Sequence, residues 1–156
     1  MTIDIYLRKD IKDFGDNVTV RNLKTREVLN YNFLVPNDYE CVLSTHDKKY
    51  VTQKLLKYNK DFKNIISILS KDINSRQAVL LFNKGAKKLP ECFISIQFLI
   101  RNSIVYSLVT SRSLDVINKL NCDVSIVREL TNKILKKFKL QNSIVEFSVG
   151  SLHYYY

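Results

Sequence analysis

The chain reads as an α+β domain, a mixed or antiparallel sheet with helices packed against it, on three observations. Apolar residues recur at three- and four-residue spacing in two long stretches, as they do on the buried face of a helix. Around those stretches lie short runs rich in Val, Ile, Phe and Tyr, bounded by polar turn residues, as in strands. The third observation is size: 156 residues, 46% apolar, with three Gly and two Pro, suffice for one domain, residues 1–156, that buries a sizeable core. No linker or internal repeat interrupts it.

In chain order, Val18 to Val20 and Arg26 to Leu34 predict a hairpin around a polar turn at Asn22 to Thr25. From Asp47 the pattern becomes helical, with Val51, Leu55, Tyr58, Phe62, Ile65, Ile66 and Leu69 on one face. A break near Asn59 to Asp61 divides this stretch into two helices. Ala78 to Phe82 predicts a short apolar strand. Phe93 to Ile100 and Ile104 to Val109 predict an antiparallel pair joined by a tight turn at Arg101 to Ser103. Asp123 is placed to cap a helix whose stripe is Ile126, Val127, Leu130, Ile134, Leu135 and Phe138, and Ile144 to Val149 predicts a closing strand.

The net charge of +10 attracts phosphate and steers polyanions, so nucleic acid is one candidate partner. Its carriers are Lys54, Lys57, Lys60 and Lys63, then Lys84, Lys87 and Lys88, then Lys133, Lys136, Lys137 and Lys139. Apolar residues separate them, the pattern of solvated helix faces and loops, and an AT-rich coding sequence would also enrich Lys, Asn, Ile and Tyr. Charge alone therefore identifies no nucleic-acid surface. Cys41, Cys92 and Cys122 are odd in number and far apart, which supports neither a disulfide framework nor a CxxC metal site. No basic run leads into an apolar segment at the start, and no apolar run approaches the roughly 18 residues of a spanning helix. The expectation is a protein of the reducing cytoplasm, with no membrane partner.

Chemistry-bearing residues gather between positions 90 and 155. Pro90-Glu91-Cys92 forms a corner before the strand pair, and Ser111-Arg112-Ser113-Leu114-Asp115 follows its second strand. Val149-Gly150-Ser151-Leu152-His153 comes later. A thiol, a guanidinium beside a hydroxyl, two carboxylates and an imidazole thus surround one sheet.

Pro90-Glu91-Cys92 with Gln97-Phe98 downstream, then Arg112-Ser113-x-Asp115-Val116, then Asp123 opening a helix, resembles the pyrimidine-nucleotide C5-transferases. That family contains thymidylate synthase and the phage deoxycytidylate hydroxymethylases. The hydroxymethylases are closer through Gln97-x-Leu99-Ile100-Arg101 and Val149-Gly150-Ser151-Leu152-His153-x-Tyr155. Lys24-Thr25-x-Glu27, Tyr50-Val51 with Tyr58, and Ser75-Arg76 also fall in family order, so the likeness covers nearly the whole chain. It implies a thymidylate synthase-like sheet, shortened, and a deoxycytidylate (dCMP) substrate.

The resemblance assigns roles residue by residue. Cys92 matches the thiolate that adds to C6 of the pyrimidine, so that C5 can take a one-carbon unit from methylene tetrahydrofolate. A nearby guanidinium such as Arg112 would favour the thiolate; the bland alternative is a buried structural cysteine. Arg112 and Ser113 match the phosphate-binding pair, which a planar guanidinium and a hydroxyl suit. Arg76 matches an arginine that reaches the partner subunit's phosphate, implying a homodimer; alternatively it is an exposed strand-end residue, and Gln77 stands where a second arginine is common. Asp123 matches the base reader, where asparagine goes with uracil and aspartate with cytosine. A carboxylate can accept from cytosine N4 and share a proton with N3. Its competing reading is the helix N-cap. Ser151, His153 and Tyr155 match residues near the ribose and the base, whereas Tyr154 and Tyr156 have no such match. Asp115 matches a site aspartate and could equally brace the turn.

Departures from the family are as informative. Its signature glutamate, which handles protons during one-carbon transfer, aligns with Lys54, or with Gln53 after a one-residue shift, and neither is a base. The segment before Ser75 is contracted, and the sequence given stops at Tyr156, where family members continue into the folate-covering segments. Two classes follow. One is a reduced transferase with Glu91 or a partner chain supplying the missing acid or base. The other is an inactive module that binds nucleic acid or serves a phage assembly.

Overall fold

The computed structural model describes residues 2–82 and 91–156. Pro90 of the predicted corner and Lys84, Lys87 and Lys88 lie outside the described residues, whereas Glu91 and Cys92 are within them. Within them the fold is α+β, with four helices and one six-stranded mixed sheet.

No element is predicted before Val18, yet helix α1 (Ile3–Phe14) comes first. Ile3, Leu7 and Ile11, four residues apart, are all buried and carry the helical signal. At Gly15 the chain turns away so closely that a side chain would stand 2.4 Å from the Ile11 carbonyl oxygen. Strands β1 (Asp16–Val20) and β2 (Leu23–Val35) form the predicted hairpin, but around a shorter turn. Arg21 and Asn22 both take left-handed φ, 51° and 66°, the two-residue geometry that matches strand twist. Thr25, expected in the turn, is a buried strand residue opposite Val18.

The helical stretch divides as expected, into α2 (Thr45–Lys57) and α3 (Asn59–Lys71), with the break at Tyr58. α2 starts two residues earlier than Asp47 because Ser44 and Asp47 form a capping box. Asp47 N–H donates to Ser44 Oγ at 3.1 Å, and Ser44 N–H donates to the Asp47 carboxylate at 3.2 Å. On α3, Phe62, Ile65 and Leu69 are buried, and Phe62 meets Phe98 edge-on with ring centres 5.9 Å apart.

The next strands are β3 (Val79–Leu81), β4 (Phe93–Arg101) and β5 (Ile104–Asp115). The β4–β5 turn is two residues, Asn102 and Ser103, again at positive φ. β5 continues past Val109 to Asp115, so Arg112, Ser113 and Asp115 belong to the strand and do not follow it. Helix α4 (Leu120–Phe138) leads to β6 (Asn142–Tyr155), which likewise runs beyond its predicted end at Val149 and carries Ser151, His153 and Tyr155.

Strand order is β1-β2-β6-β5-β4-β3, antiparallel throughout except for β5 and β6. That parallel pair requires a crossover, which α4 supplies. α4 is fixed to the sheet by apolar burial and by a hydroxyl pair, Ser107 Oγ and Thr131 Oγ1 at 2.7 Å. Thr131 also donates to the Val127 carbonyl at 2.8 Å, so the buried pair is satisfied. Across the core runs a line of rings: Phe33 stacks on Phe147 at 5.2 Å, and Phe147, Phe93, Phe82 and Tyr58 continue at 6.4, 5.2 and 4.5 Å. It ties the sheet to the α2–α3 junction. Among the described residues no helix is long and apolar enough to cross a membrane.

One irregularity positions the site. Along β5 the buried positions are odd-numbered through Ser111 and then shift to Leu114, with Val116 buried just beyond the strand's end. β6 changes phase at the same level, from Val145, Phe147 and Val149 to Leu152, and Asn30 of β2 takes φ 53° there. Gly150 has no register partner on β2 or β5 at this level, and a side chain on it would stand 2.8 Å from the Arg112 carbonyl oxygen. Such a local fault re-aims the residues beyond it.

Candidate functional site

Beyond that fault lies a cavity of about 470 Å³. Its walls come from the β1–β2 turn and the start of β2 (Val20, Arg21, Thr25, Glu27), from Cys92, from the ends of β5 and β6, and from Lys119 and Asp123 at the start of α4. Eight of the nine predicted site residues line it: Cys92, Arg112, Ser113, Asp115, Asp123, Ser151, His153 and Tyr155. Strand register explains how distant positions meet. Ser113 pairs with Ser151 and Asp115 with His153 across β5–β6, while Glu27 pairs with His153 and Thr25 with Tyr155 across β2–β6.

Arg76 is elsewhere. It lines a separate groove with Lys71, Asp72, Asn74, Ser75 and Gln77, and its carbonyl accepts from Gln97 Nε2 at 2.9 Å.

Cys92 is exposed, which removes the buried structural reading. Ser113 Oγ donates toward its sulfur at 3.6 Å, and Arg112 Nη2 lies 4.0 Å from it. Backbone bonds hold the corner to β5: Arg112 N–H and Ser111 Oγ both donate to the Cys92 carbonyl at 2.8 Å. The Arg112 Nε–H donates to the Glu91 carbonyl at 3.2 Å, and Nη1 reaches Ser113 Oγ at 3.4 Å. A guanidinium, a hydroxyl and a thiol therefore share one mouth of the cavity.

Asp123 is not the N-cap of α4. Lys119 holds that position, and the Asp123 N–H already bonds the Lys119 carbonyl at 2.9 Å, one turn into the helix. Its side chain is buried, 4% exposed, faces the cavity and takes no hydrogen bond from the described residues. Burial pushes the carboxyl up to about 7, against the opposing pull of Lys119 and Lys54. Near neutral pH it is thus both a proton donor and an acceptor. The Lys119 and Lys54 ammonium groups lie 4.8 and 5.7 Å from the centre of the Tyr50 ring on α2.

The remaining walls are braced. Asp115 accepts from the N–H groups of Ile117 and Asn118 at 3.0 and 3.1 Å and from the Asn118 amide at 2.8 Å, which makes it a clasp on the turn into α4. His153 Nδ1 lies 3.2 Å from the Ser151 carbonyl, and its ring meets Tyr155 edge-on at 5.2 Å. Ser151 donates to Glu27.

Arg21, Thr25, Glu27 and Lys119 line the cavity without having been assigned roles from sequence. Glu27 and Thr25 lie in a segment already quoted for its family order, so a signal existed for both. Arg21 had none, since only the left-handed turn carries it to the cavity.

Glu91, expected as a substitute acid or base, is otherwise engaged. Its carboxylate pairs with Lys54 and Lys57 and accepts from the Tyr58 hydroxyl at 2.8 Å. Burial opposes its charge, but those three partners prevail and hold it down to about 2. A carboxylate so poised is a poor base at neutral pH. No family model and no curated protein matches the chain.

Proposed function

We propose that the cavity binds a pyrimidine nucleoside monophosphate, dCMP by preference, in a thymidylate synthase-like site, and that Cys92 adds reversibly to C6 of the base. The observation that carries this reading is the convergence of Cys92, Arg112, Ser113, Asp123 and His153 on one cavity. Each part has a chemical counterpart in the ligand. Arg112 with Ser113 suits a phosphate, and Arg21 adds a second guanidinium to the same walls. Asp123, as a neutral acid, can donate to cytosine N3 while its carbonyl oxygen accepts from N4.

In the proposed step the Cys92 thiolate forms a bond to C6, the C5–C6 electron pair shifts toward C5, and water delivers a proton there. Loss of a C5 proton and expulsion of the thiolate return the starting base, so the net result is exchange of the C5 hydrogen with solvent. Methylene tetrahydrofolate does not fit the residues present. By the resemblance, Lys54, or Gln53 after a one-residue shift, stands where the family has its carboxylate base; neither is a base, and the Lys54 ammonium is committed to Glu91. No one-carbon transfer is included. Arg76, outside the cavity, would meet a nucleotide only from a second copy of the chain, which makes a homodimer part of the proposal.

The test is release of tritium from C5-tritiated dCMP, in the native chain and in Cys92→Ala. Release by the native chain alone supports the addition step, and absence of both release and a Cys92 adduct overturns it. Thermal shifts with dCMP, CMP, dUMP and oligonucleotides test binding separately, because a ligand of the folded state raises apparent stability. Indifference to mononucleotides with salt-sensitive oligonucleotide binding would favour the nucleic-acid module instead.

A further inference from the structure

Glu91 immediately precedes Cys92, and its two ends face different parts of the molecule. The carboxylate is held at the α2–α3 junction by Lys54, by Lys57 and by the Tyr58 hydroxyl. The Lys54–Glu91 pair is largely sheltered, with side chains 14% and 17% exposed. The carbonyl of the same residue accepts from Arg112 Nε, and the next carbonyl, of Cys92, accepts from Arg112 N–H and from Ser111 Oγ. Tyr58 is itself anchored, its ring 4.5 Å from Phe82, which in turn lies 5.2 Å from Phe93. The residue therefore joins a helix junction to the thiol and the guanidinium at the cavity mouth.

We propose that Glu91 is a positioning residue: its anchored carboxylate fixes the backbone that carries Cys92 and orients the Arg112 guanidinium toward the thiol and toward a ligand phosphate. The proposal rests on the nucleotide reading for its ligand but not for its geometry. A carboxylate that served only as an acid or base would need no such threefold grip. A sheltered ion pair contributes little net stability compared with an apolar replacement, which leaves fixed geometry as its consequence here. Removing the charge frees two ammonium groups and lets the corner relax, so Arg112 loses its set position beside Cys92.

Two readouts test this in Glu91→Gln, which keeps the side chain's shape and loses its charge. The first is alkylation of Cys92 by iodoacetamide at pH 7, followed by peptide mass mapping, without any nucleotide. The rate is expected to fall roughly fivefold, as the relaxed corner no longer holds the exposed sulfur in its place beside Arg112 and Ser113. The second is dCMP affinity, expected to fall roughly tenfold through the loosened phosphate grip. Val51→Ala, a core truncation on α2, is the control, and it should lower stability while leaving both readouts near native values. A folded Glu91→Gln protein with native alkylation rates overturns the proposal, as does Val51→Ala changing the rate equally. If the native chain binds no dCMP but Glu91→Gln alone slows alkylation, the positioning role stands and the nucleotide reading fails.

Discussion

Replacing Asp123 by Asn should stabilise the folded chain at alkaline pH and leave it nearly unchanged in acid. The carboxyl is buried and its folded pKa is raised from the ordinary 3.8 to about 7. Between those values the folded state holds a proton that the unfolded chain has released. Stability therefore falls as pH rises through this window and levels off above about pH 7. The gap, at about 1.4 kcal/mol per pH unit, amounts to the order of 4 kcal/mol once the group is charged in both states. At pH 5 only part of it has developed, roughly 2 kcal/mol. Asparagine does not titrate, so the variant escapes the whole cost. Urea unfolding of both proteins at intervals from about pH 4 to pH 9 gives the stability difference against pH, and the low-pH groups common to both, Glu91 among them, cancel. The difference should grow with pH and flatten above neutrality. A difference that stays constant, or shrinks as pH rises, would refute the account of Asp123 as a buried carboxyl whose burial outweighs the pull of Lys119 and Lys54.

Three further outcomes are expected. Asp123→Asn should lose preference for dCMP over dUMP by roughly tenfold, read as concentration-dependent thermal shifts, because an amide matches the uracil edge. Arg112→Lys should weaken mononucleotide binding roughly tenfold or more while leaving the fold intact, since an ammonium keeps the charge but not the two-pronged grip; titration calorimetry would show it. Gly150→Ala, whose added methyl carbon would meet the Arg112 carbonyl at 2.8 Å, should cost about 1–3 kcal/mol in urea unfolding and displace Arg112 enough to reduce binding as well.

What could be foreseen depended on how local the cause was. The α2 and α3 stripes, the β4–β5 hairpin and the α4 stripe follow from spacing within a dozen residues, and the structure places elements there. Helix α1 has the same kind of signal in Ile3, Leu7 and Ile11, but Arg8, Lys9, Asp10, Lys12 and Asp13 dilute it. The long ends of β5 and β6 were hidden for a different reason. Polar residues there, Arg112, Ser113, Asp115, Ser151 and His153, break the apolar runs on which the predicted strand ends at Val109 and Val149 rest, whereas they are strand residues that line a cavity. Asp123 had two readings of equal standing from sequence, and the position of Lys119 removes the capping one. Arg21 depended on a left-handed turn that its neighbours do not announce. Glu91 was legible as a carboxylate beside a cysteine, but its partners Lys54, Lys57 and Tyr58 are more than thirty positions away.

The place of β6 has a bearing on how the chain comes to be folded. It follows the sheet's other five strands in sequence yet lies inside the sheet, between β2 and β5. Until residues 142–155 leave the ribosome, the nascent protein can hold only two separate pieces, β1–β2 and β3–β4–β5, each with an unpaired edge that invites another chain. The cavity walls belong to both pieces and to β6, so no partial assembly can present the whole cavity. The cavity thereby forms only when β6 joins the two pieces, and a chain interrupted before β6 would be left with unpaired strand edges and an incomplete cavity.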